Sequence, residues 1–369
     1  MAGITFKKKS KLRRTIIPRN VYKTLFSSFF MLAAYTELKN AQKVKEVLIK
    51  KKILHTDYEP VKELDRIYFP VTKRIPVANA KVVDTKFSFP KREMAVTLND
   101  LLKGKLTAKE MALIPKTQEI VGDILILEIP DELQHKEKII AEAYLAYHKT
   151  VATVVKKTDM HSGVFRTRKV RILAGKKKKE TVHRENGVQM KIHLEKMYFS
   201  PRLANERLRI AKQIKKNEEV LVMFSGAGPY LLVIARNSPV KKVCGIEINV
   251  LAHQYALENI QFNHLEDKIV VHEGDVMTLL PQLRKKFDRI VMPLPKTGED
   301  FLHLALQKAK KGAIVHLYAF LHENEVQPHK KKIKKISTLS KHPVQILRTV
   351  PCGQFSPGVH RYCFDLKVM

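Results

Sequence analysis

The chain has 369 residues, with 69 lysines and arginines against 36 aspartates and glutamates, and carries a formal net charge of +33. No apolar stretch approaches the roughly 18 residues of a membrane span, so we expect no membrane contact. Three scattered cysteines exclude a disulfide framework and a zinc site and predict a reducing, cytoplasmic compartment. The charge favours a nucleic acid partner, with a merely solvated, self-repelling surface as the alternative.

The first part of the chain is predicted to be a small α/β unit behind a basic arm. The arm covers residues 1–20, and the unit covers residues 21–112. Hydrophobic spacing predicts helices over Val21–Tyr35 and Ala41–Leu54, followed by strands over Tyr68–Val71 and Lys81–Phe89. Composition alone assigns this unit no chemistry.

A second unit, residues 113–197, is predicted to combine strands with one helix. The apolar run Ile120–Ile129 reads as a strand that Gly122-Asp123 interrupts, and Asp131 can cap the helix that follows. Further strands are predicted over Val151–Val155, Phe165–Leu173 and Val188–Leu194. The second of these carries the arginines Arg166, Arg168 and Arg171. Such a basic strand suits phosphate contact, and one of its arginines could instead bind the O6 edge of guanine.

The third unit, residues 198–369, alternates strands and helices. This order predicts a parallel sheet covered on both faces. The last two strands are joined by Cys352–Gly358, which is too short for a crossover helix, so they should be antiparallel. That combination fits a methyltransferase fold that uses S-adenosylmethionine (SAM) better than a plain NAD fold. The strands are predicted over 219–224, 241–248, 268–273, 287–292, 312–319, 344–350 and 360–368, and the helices over Leu251–Phe262 and Asp300–Lys310.

A glycine loop follows the first strand of this unit. Phe224 precedes Gly226 and Gly228, whose backbone can approach a ligand closely, although such pairs also occur in ordinary tight turns. An NAD fingerprint wants a third glycine where Leu231 stands, which counts against a dinucleotide. Glu247 ends the second strand, where a ribose hydroxyl needs an acceptor.

Two further strand ends complete the predicted cofactor site. Asp275 follows the third strand and could accept from an adenine amino group, although a plain turn would explain it equally. Pro293 follows the fourth strand in a rigid loop and offers neither an N–H group nor a polar side chain. Earlier in the chain, Glu206 and Arg207 lie within two turns of a helix start, where they could also be an exposed pair of charges.

The chain resembles the archaeal and eukaryotic tRNA (guanine-37 N1)-methyltransferases. The resemblance covers residues from about 113 to the end and weakly extends into the first unit. The combination of motifs is specific, whereas no single string is. The matching strings are Gly122–Pro130, Phe165–Arg168, Tyr198–Arg202 with Asn205–Arg207, Phe224–Tyr230, Glu247–Asn249, Met292–Lys296 and Ser356–His360.

The resemblance implies a three-domain enzyme with a Rossmann-like class I SAM methyltransferase domain behind two smaller α+β domains. Glu206 would be the general base and Arg166 would stabilise O6 of a flipped guanine, with no metal required. The protein would act as a monomer on the anticodon region and outer corner of tRNA. RNA contacts are expected at Arg168, Arg171 and Arg202. Cofactor contacts are expected at Arg207, Phe224, Gly226, Gly228, Glu247, Ile248, Asp275, Val276 and Pro293.

Two departures from the family pattern leave the reaction open. Pro293 stands where the family commonly has Asn, and Val222 stands where it often has an acidic residue. Either change could alter the substrate range. The alternatives are a wyosine-pathway enzyme, which transfers an aminocarboxypropyl group or a second methyl group, and a non-catalytic tRNA-binding protein.

Overall fold

The structure is a computed structural model that describes residues 31–92, 96–115, 118–158 and 167–369. The chain divides into two compact units between Val96 and Thr97. This division lies ahead of the boundary at residue 112 that the sequence predicts. The helix bounded by Leu98 and Leu102 packs with the second unit, because Leu102 is buried in that unit's core.

The described residues of the first unit form a four-stranded antiparallel sheet with one α-helix. Its order is β2-β3-β1-β4, and Val44 and Leu48 bury one face of the helix. The helix predicted over Val21–Tyr35 is wrong from Met31 onward, because those residues form a central strand that pairs on both sides; residues 21–30 lie outside the described part. The elements are β1 Met31–Glu37, α1 Ala41–Lys50, β2 Val61–Glu63, β3 Arg66–Pro70 and β4 Lys81–Thr85.

The second unit begins with a small sheet in the order β5-β6-β7-β8. The predicted strand Ile120–Ile129 is a hairpin, because the chain reverses at Gly122 with φ +56°. A Cβ atom there would meet the Thr181 hydroxyl at 2.1 Å, so only glycine fits. The elements are α2 Leu98–Leu102, α3 Ala108–Ala112, β5 Glu119–Val121, β6 Ile124–Leu127, α4 Glu137–Tyr147, β7 Thr153–Lys157 and β8 Val170–Gly175, followed by the hairpin β9 Glu180–Glu185 and β10 Val188–His193.

The described residues of the second unit also form a seven-stranded sheet in the order β13-β12-β11-β14-β15-β17-β16. Strands β11 to β15 are parallel, and β17 is antiparallel to both β15 and β16, which confirms the predicted fold class. The elements are α5 Ala204–Ala211, β11 Glu219–Met223, α6 Pro229–Asn237, β12 Lys242–Glu247, α7 Val250–Phe262, β13 Ile269–Glu273, α8 Val276–Gln282, β14 Phe287–Met292, α9 Leu302–Lys308, β15 Ala309–His322, α10 Val326–Leu339, β16 Val344–Ser356 and β17 Val359–Val368.

Strand β11 shows how the large sheet is covered on both faces. Val220 and Val222 belong to the core formed with α6 and α7, whereas Leu221 and Met223 belong to the core formed with α8 and α9. The chain runs outward from β11 in one direction and from β14 in the other. A crevice therefore opens between the carboxyl ends of these two strands, where ligands bind in folds of this class. None of the described helices is long and apolar enough to cross a bilayer.

Candidate active site

A cavity of about 490 Å³ lies at the carboxyl ends of β11, β12 and β14. It is wide enough for a nucleoside-sized ligand. Eight of the nine predicted cofactor residues line it. The cavity therefore brings together positions from five separate segments of the chain. Its walls include Tyr198, Phe199, Ser200, Leu203, Arg207, Phe224, Ser225, Gly226, Pro229, Tyr230, Glu247, Ile248, Asn249, Asp275, Val276, Pro293, Leu294, Lys296, Thr297 and Phe301.

The glycine loop turns sharply beneath this cavity. Phe224 has φ +59°, a left-handed conformation that is uncommon for a bulky residue and that occurs at functional sites. Its ring packs edge-on against Phe301, with centroids 4.9 Å apart. Gly226 and Gly228 have φ +58° and +87°, and Gly228 immediately precedes α6. Gly228 is the predicted cofactor residue that does not line the cavity, so it shapes the loop from behind.

Glu247 is held in place by backbone donors. Its Oε2 accepts from the Gly226 N–H group at 2.6 Å, and its Oε1 accepts from the Asn249 N–H group at 2.8 Å. Burial raises the pKa of Glu247, and the backbone hydrogen bonds partly oppose that rise. Each oxygen keeps a further lone pair. The carboxylate therefore fits as an acceptor for ribose hydroxyls.

Asp275, Ile248 and Pro293 occupy different parts of the cavity wall. Asp275 Oδ1 accepts from the Met277 N–H group at 2.8 Å and so caps α8, which leaves its second oxygen for a ligand. Ile248 is 40 % exposed and offers an apolar surface beside Glu247. Lys296 and Thr297 add polar side chains to the wall near Pro293.

Arg207 is only 1 % exposed, and its charge is matched inside the protein. Its Nε and Nη2 atoms each donate to the Glu185 carboxylate at 2.5 Å, and Nη2 also donates to the Ser200 carbonyl oxygen at 3.1 Å. The guanidinium lies 5.3 Å from the centre of the Phe199 ring. Arg207 therefore fixes the wall formed by residues 199 and 200, and a direct cofactor contact by its side chain stays a prediction.

Glu206 is 6 % exposed and lies behind the cavity wall. Arg209 donates to both of its oxygens, with Nε 2.7 Å from Oε2 and Nη2 2.8 Å from Oε1. Arg209 also donates to both oxygens of Asp365, at 2.8 and 3.2 Å. One guanidinium therefore orients two buried carboxylates. Oε2 of Glu206 keeps a lone pair that could accept a substrate proton.

Two tyrosines connect Glu206 with the cavity. Tyr230 lines the cavity and donates its hydroxyl proton to the Tyr318 hydroxyl at 3.0 Å. Tyr318 in turn donates to Glu206 Oε1 at 2.6 Å. Burial raises the pKa of both phenols, so both stay protonated donors at neutral pH. This ordered chain of donors favours one orientation of the Glu206 carboxylate.

We expect Tyr318→Phe to lower turnover without weakening SAM binding, because Glu206 would lose a hydrogen bond that orients it. The change also strands the buried Tyr230 donor, so the free energy of unfolding should fall by about 1–3 kcal/mol. Denaturant titration of Tyr318→Phe and of the double variant Tyr230→Phe/Tyr318→Phe measures the change in the free energy of unfolding. The double variant removes the stranded donor, so it should recover part of the lost stability. Unchanged turnover in Tyr318→Phe would show that the hydroxyl does not position Glu206.

The buried network continues beyond Asp365 to His316. Burial opposes ionisation of Asp365, but hydrogen bonds from His316 and Arg209 outweigh it and hold the pKa of Asp365 well below its ordinary value. His316 Nε2 lies 2.8 Å from Arg289 Nη1, which can only donate, so His316 carries its proton on Nδ1, 2.6 Å from Asp365. Although ligand-type atoms of His316, Cys363 and Asp365 lie within 4.8 Å of one another, two guanidinium groups beside them oppose a bound cation. That the chemistry needs no metal stays a prediction.

The predicted RNA-binding arginines differ in their surroundings. Arg168 is buried and donates to Glu119 at 3.1 Å, whereas Arg171 is half-exposed and pairs with Glu137 at 2.7 Å. Arg202 is exposed. Arg166 lies outside the described residues, so its proposed role at guanine O6 stays a prediction, as do RNA contacts at the other three.

Sequence reasoning missed Glu185, Arg209, Tyr318 and Asp365. Arg209 could have been found, since it stands three residues after Glu206 on the same helix, where side chains meet. The other three come from distant segments and carry no local motif. Only the folded chain brings them to the site, Glu185 from the β9–β10 hairpin and the other two from the seven-stranded sheet.

Comparison with known proteins identifies the relationship. Residues 181–347 match the TRM5/TYW2 methyltransferase domain, residues 98–178 the TYW2 N-terminal domain and residues 36–79 the tRNA methyltransferase 5 N-terminal domain. The tRNA (guanine(37)-N(1))-methyltransferase Trm5b of Pyrococcus abyssi is 31 % identical over 339 residues, which are 91 % of this chain and 99 % of that protein. The chain belongs to the TRM5/TYW2 family.

Other TRM5/TYW2 relatives catalyse a different transfer. The tRNA(Phe) (4-demethylwyosine(37)-C(7)) aminocarboxypropyltransferase of Pyrococcus horikoshii is 32 % identical over 273 residues, which are 73 % of this chain and 96 % of that protein. Both relatives are named for modification of tRNA position 37. At this level of identity, the family supports modification of that position and leaves the transferred group open.

Solved structures of the TRM5/TYW2 family agree with the fold. Trm5b of P. abyssi superposes with a TM-score of 0.71 at 30 % identity, covering 92 % of this chain and 99 % of that chain. A complex of aTrm5 with tRNALeu gives a TM-score of 0.66 at 26 % identity, covering 92 and 100 %. P. horikoshii TYW2 in complex with MeSAdo gives 0.63 at 30 % identity, covering 74 and 98 %. The protein is thus a member of a SAM-dependent tRNA methyltransferase family.

Proposed function

We propose that the protein transfers a methyl group from SAM to N1 of guanosine 37 in tRNA. This choice rests on one observation: residues 36–79, in the first unit, match the tRNA methyltransferase 5 N-terminal domain. The methyltransferase relative from P. abyssi aligns with 91 % of this chain, whereas the aminocarboxypropyltransferase aligns with 73 %. The first unit therefore favours methylation of guanosine over aminocarboxypropyl transfer.

The proposed roles of the side chains follow from the chemistry of guanine. N1 of neutral guanine carries a proton, so attack by N1 requires a base, and we propose Glu206 for this role. Glu206 does not line the cavity, so the proposal requires that the guanine reach Glu206 Oε2 past the wall to which Tyr230 belongs. Charge then builds on O6, where Arg166 would stabilise it. SAM would supply an electrophilic methyl group when bound, and Glu247 and Asp275 would hold its nucleoside part. The guanine must leave the base stack to reach the cavity.

Pro293 stands where the family commonly has Asn, and this difference removes a polar side chain from the cavity wall. Pro293 lines the cavity without a polar group, whereas the neighbouring Lys296 and Thr297 present polar side chains to it. We propose that these two residues supply the polar contacts to substrate or cofactor that Pro293 cannot make. A wider substrate range, including wyosine precursors, is the second possibility that this substitution leaves open.

The by-product of the reaction tests the proposal. Purified protein, SAM and a tRNA transcript with guanosine 37 should yield S-adenosylhomocysteine in amounts equal to the modified tRNA. A matched transcript with adenosine at position 37 should give none. A tRNA that carries 4-demethylwyosine at position 37 is tested alongside, because the aminocarboxypropyltransferase relative is named for that acceptor. Methylthioadenosine as the by-product with that tRNA, and no product with guanosine 37, would overturn the proposal in favour of aminocarboxypropyl transfer. SAM binding without product on either tRNA would favour a non-catalytic RNA-binding protein.

We propose that the first unit binds the outer corner of tRNA and that the second unit binds the anticodon region. We also propose that the protein is a cytoplasmic monomer. We expect removal of residues 1–96 to leave SAM affinity unchanged, because every residue that lines the cavity follows the division at Val96. Affinity for tRNA should fall at least about tenfold, because two linked contacts bind more tightly than one. Calorimetry with SAM and filter binding with tRNA measure the two effects. Loss of SAM binding would contradict the division of roles.

A further inference from the structure

An aromatic platform lies at the tip of the C-terminal hairpin, and we define it as Phe320, Phe355 and Arg361. Phe320 of β15 and Arg361 of β17 are cross-strand partners. Phe355, near the end of β16, stacks on Phe320 with ring centroids 3.9 Å apart and an interplanar angle of 26°. The guanidinium carbon of Arg361 lies 5.0 Å from the centre of the Phe320 ring. The two rings are therefore stacked on each other, and the cation contacts the ring of Phe320.

The outer ring of the platform is open to solvent. Phe355 is 51 % exposed, and its neighbours Gln354 and Ser356 are polar. A single exposed aromatic residue needs no function by itself. Here, however, the pairing of β16 with β17 shifts register on both sides of Gln354. Such bulges redirect side chains and are frequent beside active sites, so the exposure of Phe355 follows from a local distortion of the strand.

Two hydrogen bonds connect the platform with the wall of the active-site cavity. Arg361 Nη2 donates to the Tyr198 hydroxyl at 2.9 Å, and Tyr198 lines the cavity. The Phe320 N–H group donates to the Pro295 carbonyl oxygen at 3.1 Å, between the cavity residues Leu294 and Lys296. The platform is thus a direct extension of the cavity wall, held on both sides.

Arg361 contributes an unusual polar group to the platform. It is 8 % exposed, and its buried Nε–H group has no hydrogen-bond partner among the described residues. An unpaired buried donor costs stability, so it is generally retained for a reason. The guanidinium therefore supports the Phe320 ring through a cation–π contact, and the exposed ring of Phe355 is the part of the platform that a ligand can reach.

We infer that the aromatic platform stacks on an unpaired nucleobase of the RNA substrate, next in sequence to the nucleotide whose base enters the cavity. The inference rests on the proposed function, because it assumes an RNA whose reacting base has left the stack. Flipping deprives the neighbouring base of its stacking partner, and Phe355 offers a replacement surface at the edge of the cavity. Every base has a π-face, so such stacking tolerates different sequences, while the basic surface binds the phosphates.

The test couples a protein change to an RNA change. Dissociation constants are measured without SAM for full-length protein and for Phe355→Leu, which keeps apolar contact with Phe320 but removes the aromatic face. The RNAs are a tRNA transcript and two versions with an abasic residue directly before or directly after position 37. Phe262→Leu is the matched control, since Phe262 is 42 % exposed on α7, which packs on β13 at the other edge of the sheet.

We expect one of the abasic changes to weaken binding by wild-type protein at least about fivefold. Phe355→Leu should weaken binding of the intact transcript by a similar factor and should show no further loss with that abasic transcript. Phe355→Tyr, which keeps the ring, and Phe262→Leu should bind like wild type, and SAM affinity should be unchanged in all variants. Equal affinity of Phe355→Leu and wild type, or an abasic loss that persists in Phe355→Leu, would overturn the inference. Coupling without methylation of guanosine 37 would overturn the proposed function alone.

Discussion

Glu206→Gln should lower the rate of methyl transfer by about 10²- to 10⁴-fold while leaving SAM affinity close to that of the wild type. The amide has nearly the shape of the carboxylate but cannot accept the N1 proton. Glu206 lies behind the cavity wall, so the change removes no contact with the cofactor. The amide nitrogen would face one of the Arg209 donors that now bind the two Glu206 oxygens, so some stability should be lost. Arg209 keeps its two hydrogen bonds to Asp365, which should limit that loss.

Single-turnover kinetics with saturating tRNA and SAM measure the chemical step, and calorimetry measures SAM binding. Glu266→Gln is the control, because Glu266 is exposed in the loop before β13. A variant that loses rate and SAM affinity by the same factor would show that Glu206 is structural. Thermal denaturation separates that outcome from unfolding, since the proposed base should change turnover far more than the melting temperature.

Glu247→Gln should weaken SAM binding by roughly 10- to 100-fold, because hydrogen bonds to a charged group are among the stronger ones. The carboxylate accepts from the N–H groups of Gly226 and Asn249, and an amide can offer its oxygen to only one of them. The amide nitrogen would then face a second donor. The glycine loop and the ribose acceptor would both be disturbed.

Calorimetric titration with SAM checks this effect, and Glu273→Gln is its matched control. Glu273 ends β13 directly opposite Glu247 in the sheet but is exposed. Affinity equal to wild type in Glu247→Gln would remove Glu247 from the cofactor site. Equal weakening in both variants would point to a general effect of surface charge.

The affinity for SAM should also depend on pH through Glu247. Burial raises the pKa of this carboxyl group above the ordinary value of 4.5, so on acidification it takes up a proton earlier than an exposed glutamate does. The protonated form loses acceptor capacity. SAM affinity should therefore fall as the pH is lowered through this raised pKa, and Glu247→Gln should lack that dependence.

Much of the architecture could be predicted because local sequence patterns determine it. Apolar runs and their spacing indicated the alternating strands and helices of the large sheet, and the short link before β17 indicated the antiparallel hairpin. Strand ends in a parallel sheet share one edge, so Glu247, Asp275 and Pro293 could be placed together. The cavity does bring these three side chains to one site.

Other features could not be predicted because they depend on distant pairing. Met31–Glu37 has spacing compatible with a helix, but hydrogen bonds to strands on both sides make it a strand. Arg209 meets Asp365 across 156 positions of the chain, and Tyr318 meets Glu206 across 112. No local pattern encodes such contacts. The partners that orient the proposed base therefore emerged only from the fold.

The most direct measurement is mass spectrometry of tRNA after incubation with purified protein and SAM. The transcript carries guanosine 37, and nuclease fragments locate the modification while chromatography of the nucleosides identifies it. Our account predicts a gain of one methyl group at position 37, with 1-methylguanosine as the nucleoside, and its loss in Glu206→Gln. Unmodified guanosine 37, or a methyl group at another position, would contradict it.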